Sequence, residues 1–176
     1  MALVVNLFAG PGAGKSTTAA GVFHELKKLG VSCELVTEFA KDKVWEGNKK
    51  VFCCQPYILG KQFWRLFRCD GEVDVVITDS PLLLTVVYND RYSDLQHLNP
   101  FVFELFNKFN NLNYVIQRTK TYDTRGRNED VLSAQAIDGE VAKLLFDNEV
   151  PFRKLDYGTA VGVIVDEVKS LLSCHP

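Results

Sequence analysis

The sequence predicts an α/β fold in which a five-stranded parallel sheet is covered by helices on both faces, and three observations predict it. Five short apolar segments alternate with helical ones; the first of them runs straight into a glycine loop and a helix; and 47% of the 176 residues are hydrophobic against 24% charged. Strands that alternate with helices are joined by right-handed crossovers, which bury both faces of the sheet. A chain of this length closes around one core, so a single domain over residues 1–176 is expected.

Leu3 to Phe8 is a continuous apolar run, the form of a strand buried on both faces. Ser16 to Leu29 places Val22, Leu26 and Leu29 on one helical face and stops at Gly30. Val31 to Thr37 reads as a second strand, then a short helical stretch over 39–46 and a breaker at Gly47-Asn48. From Val51 to Cys69, Ile58, Leu59, Phe63, Leu66 and Phe67 recur every three or four positions, predicting one long helix with Pro56 in its first turn. Val73 to Thr78 is the most strand-like segment and ends in Asp79-Ser80-Pro81. A helix from Pro100 to Asn110, a strand from Asn113 to Gln117, a polar stretch over 118–130, a helix over 131–148, a strand from Phe152 to Leu155 and a helix over 159–172 complete the reading.

Charge and cysteine usage narrow the function classes. A formal charge of −2 and a pI near 5.9 give no global basic field, so a polynucleotide partner would need a local basic strip. Five cysteines without a C-x-x-C pair indicate neither a disulfide framework nor a zinc site, and reduced core thiols are expected. The N-terminus has no basic segment before its apolar run, and no apolar run reaches the roughly 20 residues of a membrane span. A soluble, cytoplasmic protein is therefore expected.

The strongest chemical signal is Ala9-Gly10-Pro11-Gly12-Ala13-Gly14-Lys15-Ser16, set between a strand and a helix. Glycines let backbone N–H groups wrap a phosphate, Lys15 can neutralise β- and γ-phosphates, and the Ser16 hydroxyl can take a place on Mg²⁺. Ala9 stands where the usual G-x-x-x-x-G-K-[ST] pattern begins with glycine, but Gly10, Gly12 and Gly14 remain. The reading is a P-loop over Gly10 to Thr17 in a three-layer P-loop NTPase fold, binding ATP with Mg²⁺. Asp79, at the end of an apolar strand, is the expected metal-side carboxylate, with Ser80 the better helix cap. Glu38, at the end of the second strand, is expected to face the acceptor and take the proton of an attacking hydroxyl, with Asp42 as the alternative base. Arg118, Lys120, Arg125 and Arg127, hinged by Gly126, suit a cationic lid over about 118–130. On the long predicted helix, Phe63 and Phe67 read as core, while Gln55, Gln62, Arg65 and Arg68 are the polar side chains that could meet a base.

The segments A-G-P-G-A-G-K-S, V-T-E-F-A-K-D, the strand ending D-S-P-L-L-L and the Arg-bearing stretch closing with G-R-N together resemble a group of P-loop kinases common in tailed bacteriophages and related to thymidylate kinases. The resemblance runs from about residue 2 to residue 156. Within the group the chain is most similar to the 5-hydroxymethyl-2′-deoxyuridine DNA kinases, which phosphorylate the 5-hydroxymethyl group of the base in DNA of phages that hypermodify thymidine. The resemblance implies that Gly10 to Thr17 bind ATP, that Asp79 attends the metal, that Glu38 activates the base hydroxyl, and that the setting is the host cytoplasm. The second reading is a kinase of a free nucleoside or nucleotide, with Arg65 and Arg68 on an acceptor phosphate. The third, an ATP-driven switch, lacks a second acid beside Asp79, which is flanked by Thr78 and Ser80. An open, positively lined trough leading to Glu38 favours DNA, and an enclosed pocket favours the small molecule.

Overall fold

The structure, a computed structural model, describes residues 1–119 and 130–173. Five strands, β1 (Leu3–Phe8), β2 (Cys33–Val36), β3 (Val75–Thr78), β4 (Asn110–Gln117) and β5 (Arg153–Asp156), form one sheet in the order β2-β3-β1-β4-β5. Every pairing is parallel, with Leu3 opposite Val75 on one side of β1 and opposite Asn110 on the other.

Alternate residues of β1 face two separate cores. Leu3, Val5 and Leu7 pack with α1 (Lys15–Lys28) and α7 (Ala160–Ser173), through Val22, Leu26, Ile164 and Val168. Val4 and Phe8 face the other way, onto α3 (Gln55–Phe67), α4 (Leu84–Tyr92), α5 (Leu98–Phe106) and α6 (Val131–Asp147), where Leu66, Val87, Val102 and Ile137 are buried. The expected three layers with a five-stranded parallel sheet are what forms. No described helix is long and apolar enough to cross a membrane.

Three elements differ from the sequence reading. The helix expected over 51–69 is broken into a 3₁₀ helix, Lys49–Cys53, and α3, with Pro56 in the first turn of α3. Proline offers no N–H, and its ring collides with the carbonyl four residues back, so a helix cannot run through from Val51. The helix α4 was not anticipated. Leu84, Thr85, Val86, Val87 and Asn89 are all buried, so the segment lacks the polar face whose period would announce it. Its N-cap is Leu83, and Ser80 caps no helix. Strand β4 begins at Asn110, inside the predicted helix and ahead of the predicted strand. Its asparagines disfavour a strand on propensity, but Asn6 Nδ2 donates to Asn111 Oδ1 (2.9 Å) and Asn113 Oδ1 (3.0 Å), an amide cluster that makes these residues part of the interior.

Core thiols are found at Cys33 and Cys69, whose burial pushes their pKa values up. Cys53 and Cys54 are exposed instead, at the junction of the 3₁₀ helix and α3. Cys174 lies outside the described residues.

Candidate active site

In an open parallel sheet, ligands gather at the carboxyl ends of the strands. Here the glycine loop follows β1, Thr37-Glu38 follows β2, Asp79 follows β3 and Arg118 follows β4. Four separated parts of the sequence thus arrive at one rim.

The glycine loop is braced from two sides. A Cβ added to Gly10 would lie 2.3 Å from the Ala134 carbonyl oxygen and 2.9 Å from Asp138 Oδ1, so α6 presses directly on the loop. Gly14 has φ +107°, and a Cβ there would lie 2.3 Å from the ring of Tyr157. Only glycine fits either position. Gly14 is the N-cap of α1, which leaves the N–H groups of the first turn, Lys15 to Thr17, directed at the loop. Ala13 is fully buried, Pro11 and Gly12 are half-buried, and Ser16 and Thr17 are exposed at the mouth.

Lys15 folds back on the loop, its Nζ donating to the carbonyls of Ala9 (2.9 Å) and Gly10 (3.0 Å). Desolvation holds its pKa below the ordinary lysine value, opposed by the fields of Glu38, Asp79 and Asp138 in that order, with Arg118 adding to the depression. One ammonium thus feels both Glu38 and Asp79, the two acids that sequence reasoning had placed on the acceptor and metal sides.

Asp138 is the residue that sequence reasoning missed. Its Oδ1 accepts from Gly10 N at 2.6 Å and its Oδ2 from Arg118 Nε at 2.9 Å, while Arg118 Nη2 donates to the Pro11 carbonyl at 2.8 Å. Arg118 is therefore a buttress of the loop, joined to it through a carboxylate of α6. Spacing could not reveal this, because Asp138 falls 128 residues from its partner Gly10. Arg125 and Arg127, expected in the lid, lie outside the described residues.

Asp79 is 3% exposed, and its Oδ1 is buried without a hydrogen-bond partner among the described residues. An unsatisfied buried carboxylate oxygen is costly unless something fills the gap. No group of three His, Cys, Asp or Glu residues is placed to hold a metal among the described residues. A cation here would take the Asp79 oxygen and, with the Ser16 hydroxyl and oxygens of the nucleotide, would have a hard-oxygen set that suits Mg²⁺.

Glu38 is the N-cap residue of α2 (Phe39–Trp45), lying two residues past β2 and not within a strand, and its side chain makes no capping hydrogen bond. Gln62 holds its backbone in place: Oε1 accepts from Phe39 N (3.0 Å) and Nε2 donates to the Thr37 carbonyl (3.4 Å). Arg65 Nη1 adds a second bond to the Thr37 carbonyl at 3.0 Å, and its Nη2 pairs with Asp42 at 2.7 Å. Gln62 is thus committed to positioning Glu38 and is 3% exposed, while Gln55, 2% exposed, donates to the Phe52 carbonyl. Neither amide faces an open binding surface. Phe63 packs on the core as expected, but Phe67, stacked on it, is 53% exposed. Beside Thr37 an open groove of about 440 Å³ is lined by Leu35, Val36, Asp42, Trp64, Arg65 and Arg68.

With this geometry in place, solved structures supply a match. A structure of deoxyadenosine kinase from M. mycoides, with dCMP and a flexible dCDP bound, superposes with a TM-score of 0.56 at 20% identity, covering 95% of this chain and 99% of that one. The chain shares the fold of deoxyadenosine kinase. A second structure of that enzyme, with dATP bound, gives a TM-score of 0.51 at 20% identity over 94% of this chain and 99% of that one. No family model matches the sequence, and no curated protein matches it.

Proposed function

We propose that the chain is an ATP-dependent kinase that phosphorylates a hydroxyl of a nucleoside unit, and that its acceptor is the 5-hydroxymethyl group of hydroxymethyluracil in DNA. The observation that carries the kinase reading is the convergence on Lys15: the ammonium that would meet the transferred phosphate lies within the fields of Glu38 and Asp79. The loop Gly10 to Thr17 binds the phosphates through N–H groups from Gly12 to Thr17, the Gly10 N–H being held by Asp138, and Lys15 releases the Ala9 and Gly10 carbonyls to meet the β- and γ-oxygens. Ser16 and Asp79 would hold Mg²⁺, which would supply charge neutralisation on the phosphate oxygens. Glu38, fixed by Gln62, accepts the proton as the acceptor oxygen bonds to the γ-phosphorus and the bond to the bridging oxygen of ADP breaks. Arg118 keeps the loop in shape through Asp138, with Arg125 and Arg127 proposed to cover the transferring group.

DNA as acceptor is supported by the resemblance to the hydroxymethyldeoxyuridine DNA kinases and by the openness of the groove beside Thr37. The second reading, a kinase of a free deoxynucleoside or its monophosphate, is favoured by the likeness to deoxyadenosine kinase. Incubation with γ-labelled ATP and, in parallel, hydroxymethyluracil DNA, ordinary DNA and free deoxynucleosides separates them. Label in hydroxymethyluracil DNA alone supports the first, and label confined to the free deoxynucleosides replaces it with the second.

A further inference from the structure

Charge is segregated on this molecule. Seven of its 20 Lys and Arg fall within residues 39–68, against only Asp42 and Glu46 of its 22 Asp and Glu, although the whole chain carries −2. That segment is α2, the 3₁₀ helix and α3, which pack on one another. Both of its acids are already neutralised, Asp42 by Arg65 at 2.7 Å and Glu46 by Lys43 at 2.6 Å. The remaining cations, Lys41, Lys49, Lys50, Lys61 and Arg68, are exposed and make no ion pair among the described residues.

Exposed rings are interleaved with these cations: Trp45 is 69% exposed and Trp64 60%, with Tyr57 and Phe67 also open to solvent. Some of them are linked through Phe39, a ring buried beneath Arg65 and Tyr57. Lys61 Nζ lies 5.5 Å from the Tyr57 centroid, Tyr57 meets Phe39 edge-on at 5.5 Å, and the Arg65 guanidinium covers Phe39 at 5.3 Å. From Arg65 the face passes into the open groove with Trp64, Arg68 and Thr37, the residue before Glu38.

Cations that follow a backbone, alternating with rings on which bases stack, are the chemistry of a single-stranded nucleic-acid surface. We propose that the face formed by α2, the 3₁₀ helix and α3 is a track that carries a single-stranded stretch of DNA past Glu38. The proposal rests on the reading of Glu38 as the acceptor-side base. Phosphates lie over Lys49, Lys50, Lys61 and Arg68, and bases stack on Trp64. The acidic balance of the whole chain is then no obstacle, because both carboxylates within residues 39–68 are paired with cations.

The test is fluorescence anisotropy of a labelled oligothymidylate with the full chain, at low and moderate salt, beside a polyglutamate peptide of matched length. Binding of a fluorescent ATP analogue to each variant verifies that it is folded. Combined Lys49→Glu and Lys50→Glu should weaken oligonucleotide binding at least tenfold at low salt and flatten its salt dependence, since fewer counterions are released. Trp64→Ala should weaken it roughly tenfold while leaving the salt slope unchanged. Lys27→Glu on α1, outside the face, should change little. Oligonucleotide binding unaffected by these face variants, or polyglutamate bound as tightly as the oligonucleotide, overturns the track. If the strand binds as described while hydroxymethyluracil DNA receives no phosphate, the track stands and the acceptor reading falls.

Discussion

The two halves of the site are built on opposite plans. On the donor side, the glycine loop is wedged between α6 and Tyr157 with no room for one methyl group at Gly10 or Gly14, and its cations are tied to backbone carbonyls. On the proposed acceptor side, the turn bearing Glu38 is held by the buried Gln62 amide and by Arg65, and the groove beside it is open, with Trp64, Arg65 and Arg68 along it. Under the proposed function, a rigid mould suits a triphosphate of one shape, while rings and long cations would accommodate a polymeric acceptor in its many conformations. Rigidity stops at Glu38, where the two halves meet.

The contrast is tested most severely by Glu38→Gln, which should lower kcat by about 10³-fold while leaving nucleotide affinity unchanged; an unchanged kcat would remove Glu38 from the chemistry. Gly10→Ala forces a methyl against the Ala134 carbonyl and should weaken nucleotide binding by up to about a hundredfold if the loop shifts to absorb an overpacking cost of about 1–3 kcal/mol. Titration with a fluorescent ATP analogue measures this, and wild-type affinity would show that the mould is soft. Gln62→Leu leaves Phe39 N without its partner and should reduce kcat roughly tenfold with little effect on ATP binding. In Gln62→Glu an acceptor for Phe39 N remains, so activity should partly return; equal losses of kcat and stability in both variants would make Gln62 structural only.

The smallest effect concerns stability. Burial disfavours the charged form of Lys15, so Lys15→Met should raise the Tm of the nucleotide-free protein by about 2–4 °C for each kcal/mol recovered. With the folded pKa depressed, the unfolded chain binds more protons between the lowered value and 10.5, so wild-type stability rises with pH across that window. The advantage of the Met variant should shrink there, as thermal melts at pH 7 and above pH 9 would reveal.

What the sequence made legible was whatever depends on neighbours along the chain. The loop Gly10 to Thr17, the strand carrying Asp79 and the turn bearing Glu38 are local patterns, and each falls at the rim of the sheet. Asp138 was illegible because its role comes from packing α6 on a loop 128 residues away. Gln62 was visible as a polar residue on a helix, but its spacing could not tell a base-binding amide from one turned inward to the β2–α2 junction. The helix α4 escaped because its first turn is buried throughout and its polar residues cluster at its C-terminal end, which erases the period that reveals a helix.

The wedge at Gly14 couples the two ends of the chain. Tyr157 lies between β5 and α7, so the ring that closes over Gly14 is supplied by a segment far along the chain from the loop. Ligand binding in turn draws the distant C-terminal helix into the same cooperative unit, so that ATP should protect its amides from exchange as strongly as those of the loop itself.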